Sequence, residues 1–61
     1  MKKYVAIVYD YLNCRQYITS VSCKNENDVR YEAVYKVLKQ KEMQRNLEKY
    51  LTVTLIYEVV E

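Results

Sequence analysis

The stretch YVAIVYDYL, residues 4–12, decides the fold because both of its alternating sets of positions are apolar. Apart from Ala6 and Asp10, its residues are β-branched, aromatic or leucine, a composition typical of a β-strand. A strand with one solvated face would alternate apolar and polar residues, but this one has apolar side chains on both sides. The sequence therefore predicts a central strand over about residues 3–12.

The next segment, QYITSVSC at residues 16–23, predicts a second, more polar strand that forms a hairpin with the first. A three-residue loop at 13–15 would pair odd positions with odd positions. A two-residue loop would bring the serines to that face instead, so the hydrophobic match favours the longer loop. The expected shared face contains Val5, Ile7, Tyr9, Tyr11, Tyr17, Thr19, Val21 and Cys23.

A helix is predicted over about residues 26–47, because Asn25 is a good N-cap and acidic residues follow it. Val29, Ala33 and Val37 form an apolar stripe at four-residue spacing. This stripe fails beyond Lys39. We predict a continuous or gently kinked helix whose last turns leave the sheet, with a break near Gln40 as the alternative.

The segment LTVTLIYEVV alternates cleanly and predicts a third strand over residues 51–60. A helical crossover then gives a ββαβ, α+β fold in a single domain, residues 1–61, with strand order 2-1-3 and the helix on one face. The odd-numbered set is predicted under the helix. The other face is small-residued, and a second sheet could pack on it at about 10 Å. We expect a homodimer there, or else a half-polar solvated face; the predicted oligomer interface is Tyr4, Ala6, Val8, Ile18, Thr54 and Ile56.

Composition disfavours enzymatic chemistry, because the chain has no His and no Gly. The usual neutral-pH acid and base is therefore missing, and so are glycine-dependent phosphate loops. Cys14 and Cys23 would lie roughly 30 Å apart along one strand, which predicts free thiols. We expect no catalytic residues, no cofactor and no metal site. Asp10 interrupts the apolar start too early for a signal peptide, and no stretch is long enough for a membrane helix, so we expect a cytoplasmic protein.

Protein binding is the function class that remains best supported. Tyrosine suits interfaces because its ring buries area while its hydroxyl keeps a polar contact. The alternative is nucleic-acid binding through the basic helix end and the tyrosines, although the net charge is only +2. The predicted partner-binding residues are Tyr31, Tyr35, Lys39, Lys41, Met43 and Arg45.

The segments MKKYVAIVYDYLN and KNENDVRYEAVYKVL, a hairpin opening and an Asn/acid-capped helix, resemble short uncharacterised bacteriophage and mobile-element proteins of Gram-positive bacteria. Proteins of that class are often accessory factors that bind a host protein and inhibit or redirect it. The resemblance implies a phage-type protein with a host protein as its partner, and it assigns no individual residue.

Overall fold

A computed structural model describes residues 1–60. It contains the strands β1 (Lys2–Asp10), β2 (Arg15–Cys23) and β3 (Leu51–Glu58) and the helix α1 (Val29–Gln40), with 3-10 turns at Glu26–Asp28 and Arg45–Tyr50. Both strand pairs are antiparallel, and the sheet order is β2-β1-β3. The predicted ββαβ, α+β fold with order 2-1-3 is therefore confirmed. At their C-terminal ends, β1 and β3 are each shorter than expected.

The helix covers the opposite face of β1 from the one predicted. Tyr4, Ala6 and Val8 are 4%, 0% and 0% exposed and lie in one core cluster with Val29 and Ala33 of α1. Their assignment to an exposed oligomer interface was wrong, because the helix packs on these side chains. The odd positions of β1 face the other way.

The cause of this reversal is the hairpin register. Asp10 pairs with Arg15, so the loop consists of residues 11–14 and not of residues 13–15. Tyr4 pairs with Val21, which places even positions of β1 beside odd positions of β2. Because a one-residue change in register moves every side chain to the other face, the prediction for β1 failed. The prediction for Val21 and Cys23 of β2 held, since both are buried in the core.

A bulge in β3 also divides the strand that seemed to alternate cleanly. Ile7 pairs with Leu55 whereas Val8 pairs with Val53, so Thr54 is the extra residue. Before the bulge, Leu51 and Val53 are buried in the core. After it, Leu55 is exposed on the other face, and Ile56, a predicted interface residue, packs against the core.

The helical segment begins at Glu26, as predicted, but as a 3-10 turn in which Asn25 makes no side-chain cap hydrogen bond. Helix α1 follows from Val29 and ends earlier than predicted. Glu42 adopts a left-handed conformation with φ 52°. Its N–H donates to the Lys39 carbonyl at 3.3 Å, and the Met43 N–H donates to the Leu38 carbonyl at 2.9 Å. These two bonds form a Schellman motif, which ends a helix even without glycine. The continuous helix to residue 47 was wrong, and the alternative break near Gln40 is correct.

Candidate protein-interaction surfaces

The sheet has one face that no element of this chain covers, which we call the open face. Ile18, Leu55 and Tyr57 are its most exposed apolar side chains, at 74%, 48% and 54%. Val5, Ile7 and Tyr9 of the central strand are half-buried between the two outer strands. The full set of side chains is Lys3, Val5, Ile7, Tyr9, Gln16, Ile18, Ser20, Ser22, Thr52, Leu55 and Tyr57.

Cross-strand pairing arranges the open face in rows. Ile7 lies between Ile18 and Leu55 and forms an apolar row across all three strands. Next to it, Val5 lies between Ser20 and Tyr57. Directly opposed side chains in antiparallel strands are close enough to pack on one another. The result is a continuous, uncharged apolar band of the kind that marks an interaction surface.

Two tyrosines close the open face at its hairpin end. The rings of Tyr9 and Tyr11 meet edge to face, with centroids 5.1 Å apart and an interplanar angle of 84°. The neighbouring Cys14 thiol is the main cause of a raised Tyr9 pKa. Both tyrosines were predicted to lie under the helix, and the structure places Tyr9 on the open side instead.

The hairpin loop that fixes this register is held by Asp10. One carboxylate oxygen, Oδ1, accepts the N–H groups of Leu12 at 2.9 Å and of Asn13 at 3.2 Å. The other, Oδ2, accepts the Asn13 side-chain amide at 2.8 Å. The Asn13 amide is the main cause of a lowered Asp10 pKa, which burial opposes and the backbone donors and Arg15 support. The carboxylate is thus a fully buried organiser of the turn.

The predicted partner-binding residues are mostly brought together at the end of α1, but there they contact one another. Tyr35, Lys39, Met43 and Arg45 line one shallow groove. Arg45 donates a hydrogen bond of 2.5 Å to the Tyr35 hydroxyl and also lies over the Tyr35 ring. Met43 packs against the core, as expected for the residue after a Schellman turn.

Two of the six predicted residues lie apart from that groove. The Lys41 ammonium is over the Tyr17 ring, 5.4 Å from its centroid. Tyr31 is 69% exposed on the other flank of the helix, where it borders a groove with Arg30 and Glu48. The set therefore forms one cluster and two outliers, and three of its side chains make cation–π or hydrogen-bonding contacts within the chain.

A second groove, the β2–α1 groove, runs between strand β2 and the helix. It has a volume of about 380 Å³ and is lined by Val21, Ser22, Glu32, Tyr35, Lys36 and Lys39. The Lys36 ammonium reaches across it and donates to the Ser20 carbonyl. The groove thus combines an apolar floor with two lysines and one glutamate at its rim.

The two cysteines are both free thiols, as predicted. Cys14 is exposed in the hairpin loop, and Cys23 is buried. Burial is the main cause of a raised Cys23 pKa, and the nearby Glu32 and Asp28 add to it, so this thiol stays protonated and unreactive. Within residues 1–60, no group of three or more His, Cys, Asp or Glu side chains could hold a metal ion.

Val5, Ile7, Leu55 and Tyr57 were not predicted on the open face, because the sequence pattern placed them under the helix. The signal that could have found them is the spacing of Asp10 and Asn13. An Asp that bonds the backbone two and three residues further on begins a turn at its own position. That turn would have set the loop at residues 11–14 and moved the odd positions of β1 to the open face.

The helices within residues 1–60 include none that is long and apolar enough to cross a membrane. Comparison with protein-family models, with curated proteins and with solved structures gave no match for this chain.

Proposed function

We propose that the chain is a small non-enzymatic protein-binding module that forms a homodimer through its open face. The observation that carries this proposal is the uncharged apolar band centred on Ile7, Ile18 and Leu55. Large exposed apolar patches on a small domain are typically interaction sites. Two such sheets can stack about 10 Å apart, with their side chains interdigitating.

A second copy is the partner that this face fits best. Apart from Lys3 at one end, the side chains of the open face are uncharged, so bringing the apolar bands of two copies together buries no unpaired charge. A chain of 61 residues also buries only about 60% of the surface that its unfolded form exposes, less than a larger domain does, and association adds further burial. The open face of the three strands has an area of roughly 300 Å² per copy, which is smaller than the interface of a permanent dimer. We therefore expect a dimer that dissociates on dilution.

The finer proposal is a phage-type accessory protein that acts in the bacterial cytoplasm by binding a host protein and inhibiting or redirecting it. Its support is the sequence resemblance described above, together with the geometry of the dimer. When the open faces are packed together, the helix side of each copy stays accessible to a further partner.

We favour a protein over a nucleic acid as the partner. The exposed aromatic ring of Tyr57 lies on the open face, while Lys36 and Lys39 lie on the helix, which packs on the opposite face of the sheet. Base stacking on Tyr57 with phosphate binding by these lysines would thus need one strand to contact both sides of the sheet. Tyr35, the exposed tyrosine beside the lysines, is already in contact with Arg45. Lys41 and Arg45, moreover, lie over tyrosine rings of the chain itself.

Sedimentation equilibrium over a dilution series tests the dimer. The wild-type chain should shift from monomer to dimer mass with increasing concentration, and Ile18→Lys should remain monomeric because it buries a charge in the interface. Tyr31→Lys is the matched control, since Tyr31 is about as exposed but lies on the helix. A wild-type chain that stays monomeric at high micromolar concentration, or an Ile18→Lys variant that still dimerises, would refute the proposed assembly.

A pull-down from bacterial lysate with mass spectrometry, using the same variants, tests the host-protein proposal. A partner retained by both wild type and Ile18→Lys supports binding outside the open face. Tight binding of unrelated DNA at low salt, weakening steeply as salt is added, would instead favour the nucleic-acid alternative.

A further inference from the structure

The two outer strands of the sheet differ in how their free edges are protected. The Val59 N–H donates to the Lys3 carbonyl, and the Tyr11 N–H donates to the Tyr50 carbonyl. In an antiparallel ladder, successive residues bond to alternate sides. Odd residues of β1 therefore bond toward β3, and even residues bond toward β2.

The register between β1 and β2 determines which backbone N–H and C=O groups of β2 are directed away from β1. Even residues of β1 pair with odd residues of β2, for example Tyr4 with Val21. The even residues of β2 accordingly direct their backbone N–H and C=O groups away from the sheet; these residues are Gln16, Ile18, Ser20 and Ser22. Strand β2 keeps one register with β1 over all nine residues, so this edge is straight and regular.

The edge of β3 is less suited to an added strand than the edge of β2. Its bulge at Thr54 breaks the regular spacing that an added strand needs. The Arg30 guanidinium also donates to the Val53 carbonyl at 3.3 Å. By the same alternation the Val53 carbonyl is directed away from β1, so this bond occupies one group of the β3 edge, as Lys36 does at Ser20 of β2. The bulge is the feature that distinguishes the two edges.

The edge of β2 has a different neighbour, the β2–α1 groove. A strand that added to β2 would direct alternate side chains toward this groove, whose rim carries Lys36 and Lys39 against Glu32. Lys36 already donates to the outward Ser20 carbonyl, where an incoming backbone N–H would bind. A carboxylate on the incoming strand could pair with the displaced Lys36 ammonium.

We infer that the β2 edge and the β2–α1 groove together bind an extended acidic segment of another protein by strand addition. This inference rests on the proposed function and names the class of partner. Backbone hydrogen bonds to Gln16, Ile18, Ser20 and Ser22 supply the docking, and Lys36 and Lys39 select acidic side chains. A second copy of β2 does not fit this edge, because its charged residue is Arg15 and it would bring a second pair of lysines against the first.

The probes for the test are capped peptides of about eight residues, long enough to span the β2 edge. One alternates valine with glutamate, and its counterpart alternates valine with lysine. We expect the glutamate peptide to bind and to shift the backbone amide resonances of Ile18 and Ser20 more than those of Thr19 and Val21. Two further peptides are N-methylated, one at its odd positions and one at its even positions. The peptide whose methyl groups replace the N–H groups that face β2 should not bind, and the other should bind like the unmodified peptide.

A charge exchange tests the selectivity. In Lys36→Glu/Lys39→Glu, the glutamate peptide should bind at least about tenfold more weakly and the lysine peptide should gain affinity. Lys49→Glu is the control, because Lys49 lies over the Tyr50 ring outside the groove. The inference is overturned if the glutamate peptide fails to bind at millimolar concentration, if both N-methylated registers bind equally, or if the charge exchange leaves the preference unchanged.

The molecular mass in solution is measured on the same samples, so that a failure of the dimer proposal can be distinguished from a failure of the strand-addition site. A dimer that binds no peptide overturns the strand-addition site and leaves the open-face dimer standing. A monomer that binds the glutamate peptide overturns the dimer and supports the strand-addition site.

Discussion

The two faces of the central strand β1 are both apolar, yet one is core and the other is surface. The covered face has Tyr4, Ala6 and Val8, and the open face has Val5, Ile7 and Tyr9. Hydrophobicity does not separate the two sets. What differs is size in the middle of the strand, where Ala6 is fully buried in the same cluster as Ala33 of the helix.

This difference shows that a small residue has to be interpreted together with what packs on it. Ala6 suggested a flat face that a second sheet could approach. In the structure its small side chain lies under the helix, where a larger group would hold α1 away from the sheet. The bulky open face is the one left for a partner.

The largest expected effect comes from making the same substitution on each face. Val8→Ala should lower the free energy of unfolding by about 2 kcal/mol, because Val8 is fully buried and the helix cannot fully refill the space. Val5→Ala, on the same strand but half-buried on the open face, should cost about half as much. Urea denaturation at low protein concentration measures both values. A larger loss for Val5→Ala would mean that the open face contributes more to the fold of the monomer than Val8 does.

Asp10 gives the next effect, because it fixes the register that assigns the faces. Its pKa is lowered, chiefly by the Asn13 amide, so the charged carboxylate stabilises the fold. That stabilisation is present above the unfolded-state pKa of about 4 and is lost as pH falls through the lower folded-state pKa. Thermal melts of the wild type should therefore drop in acid.

Asp10→Asn provides the comparison for that pH dependence. It should melt lower than the wild type at neutral pH, because its side-chain NH₂ replaces one of the two accepting oxygens and cannot accept the hydrogen bond made there. Its melting temperature should change less on acidification. Parallel acid slopes for the two proteins would show that Asp10 does not cause the pH dependence.

Strand order and the presence of each element followed from the sequence, because hydrophobic periodicity and a crossover leave few topologies. The assignment of faces did not, because β1 carries no polar residue at Val5, Ile7 or Tyr9 to mark the outside. Only a local feature, the Asp10 turn, separates the two registers. The same applies to Thr54, since alternation in a sequence does not reveal an inserted bulge residue.

The existence of an uncovered sheet face was predicted from the sequence, but most of the residues on it were not. An uncovered sheet face follows from having one helix and three strands, and Ile18 was correctly placed on it. Tyr4, Ala6 and Val8 lie on the covered side because of the hairpin register, and Ile56 lies there because of the bulge at Thr54. The contacts at the helix end, such as Arg45 over Tyr35, depend on a chain reversal at Glu42 that no glycine announced.

A smaller, stabilising effect should come from a substitution at Glu42, where the chain reverses and helix α1 ends. Glu42 has φ 52°, a conformation that glycine adopts without the Cβ penalty. Glu42→Gly should raise the free energy of unfolding by about 0.5–1 kcal/mol. Lys41→Gly is the matched control and should lower it, because Lys41 has φ −96° and gains nothing from glycine. Equal changes in the two variants would exclude the left-handed conformation of Glu42 as the cause.

The smallest expected effect on stability comes from Ile18→Thr on the open face. Ile18 is 74% exposed in the single chain, and threonine keeps the β-branch that suits a strand. At low concentration its unfolding free energy should therefore stay within about 0.5 kcal/mol of the wild type. The dimer should nevertheless be weaker and dissociate at a higher concentration than the wild type, because the substitution puts a hydroxyl in place of apolar surface in the apolar row of the proposed interface. Denaturation and sedimentation on one preparation measure both quantities. A variant that loses stability without losing association would show that Ile18 belongs to the fold of the monomer and not to its interface.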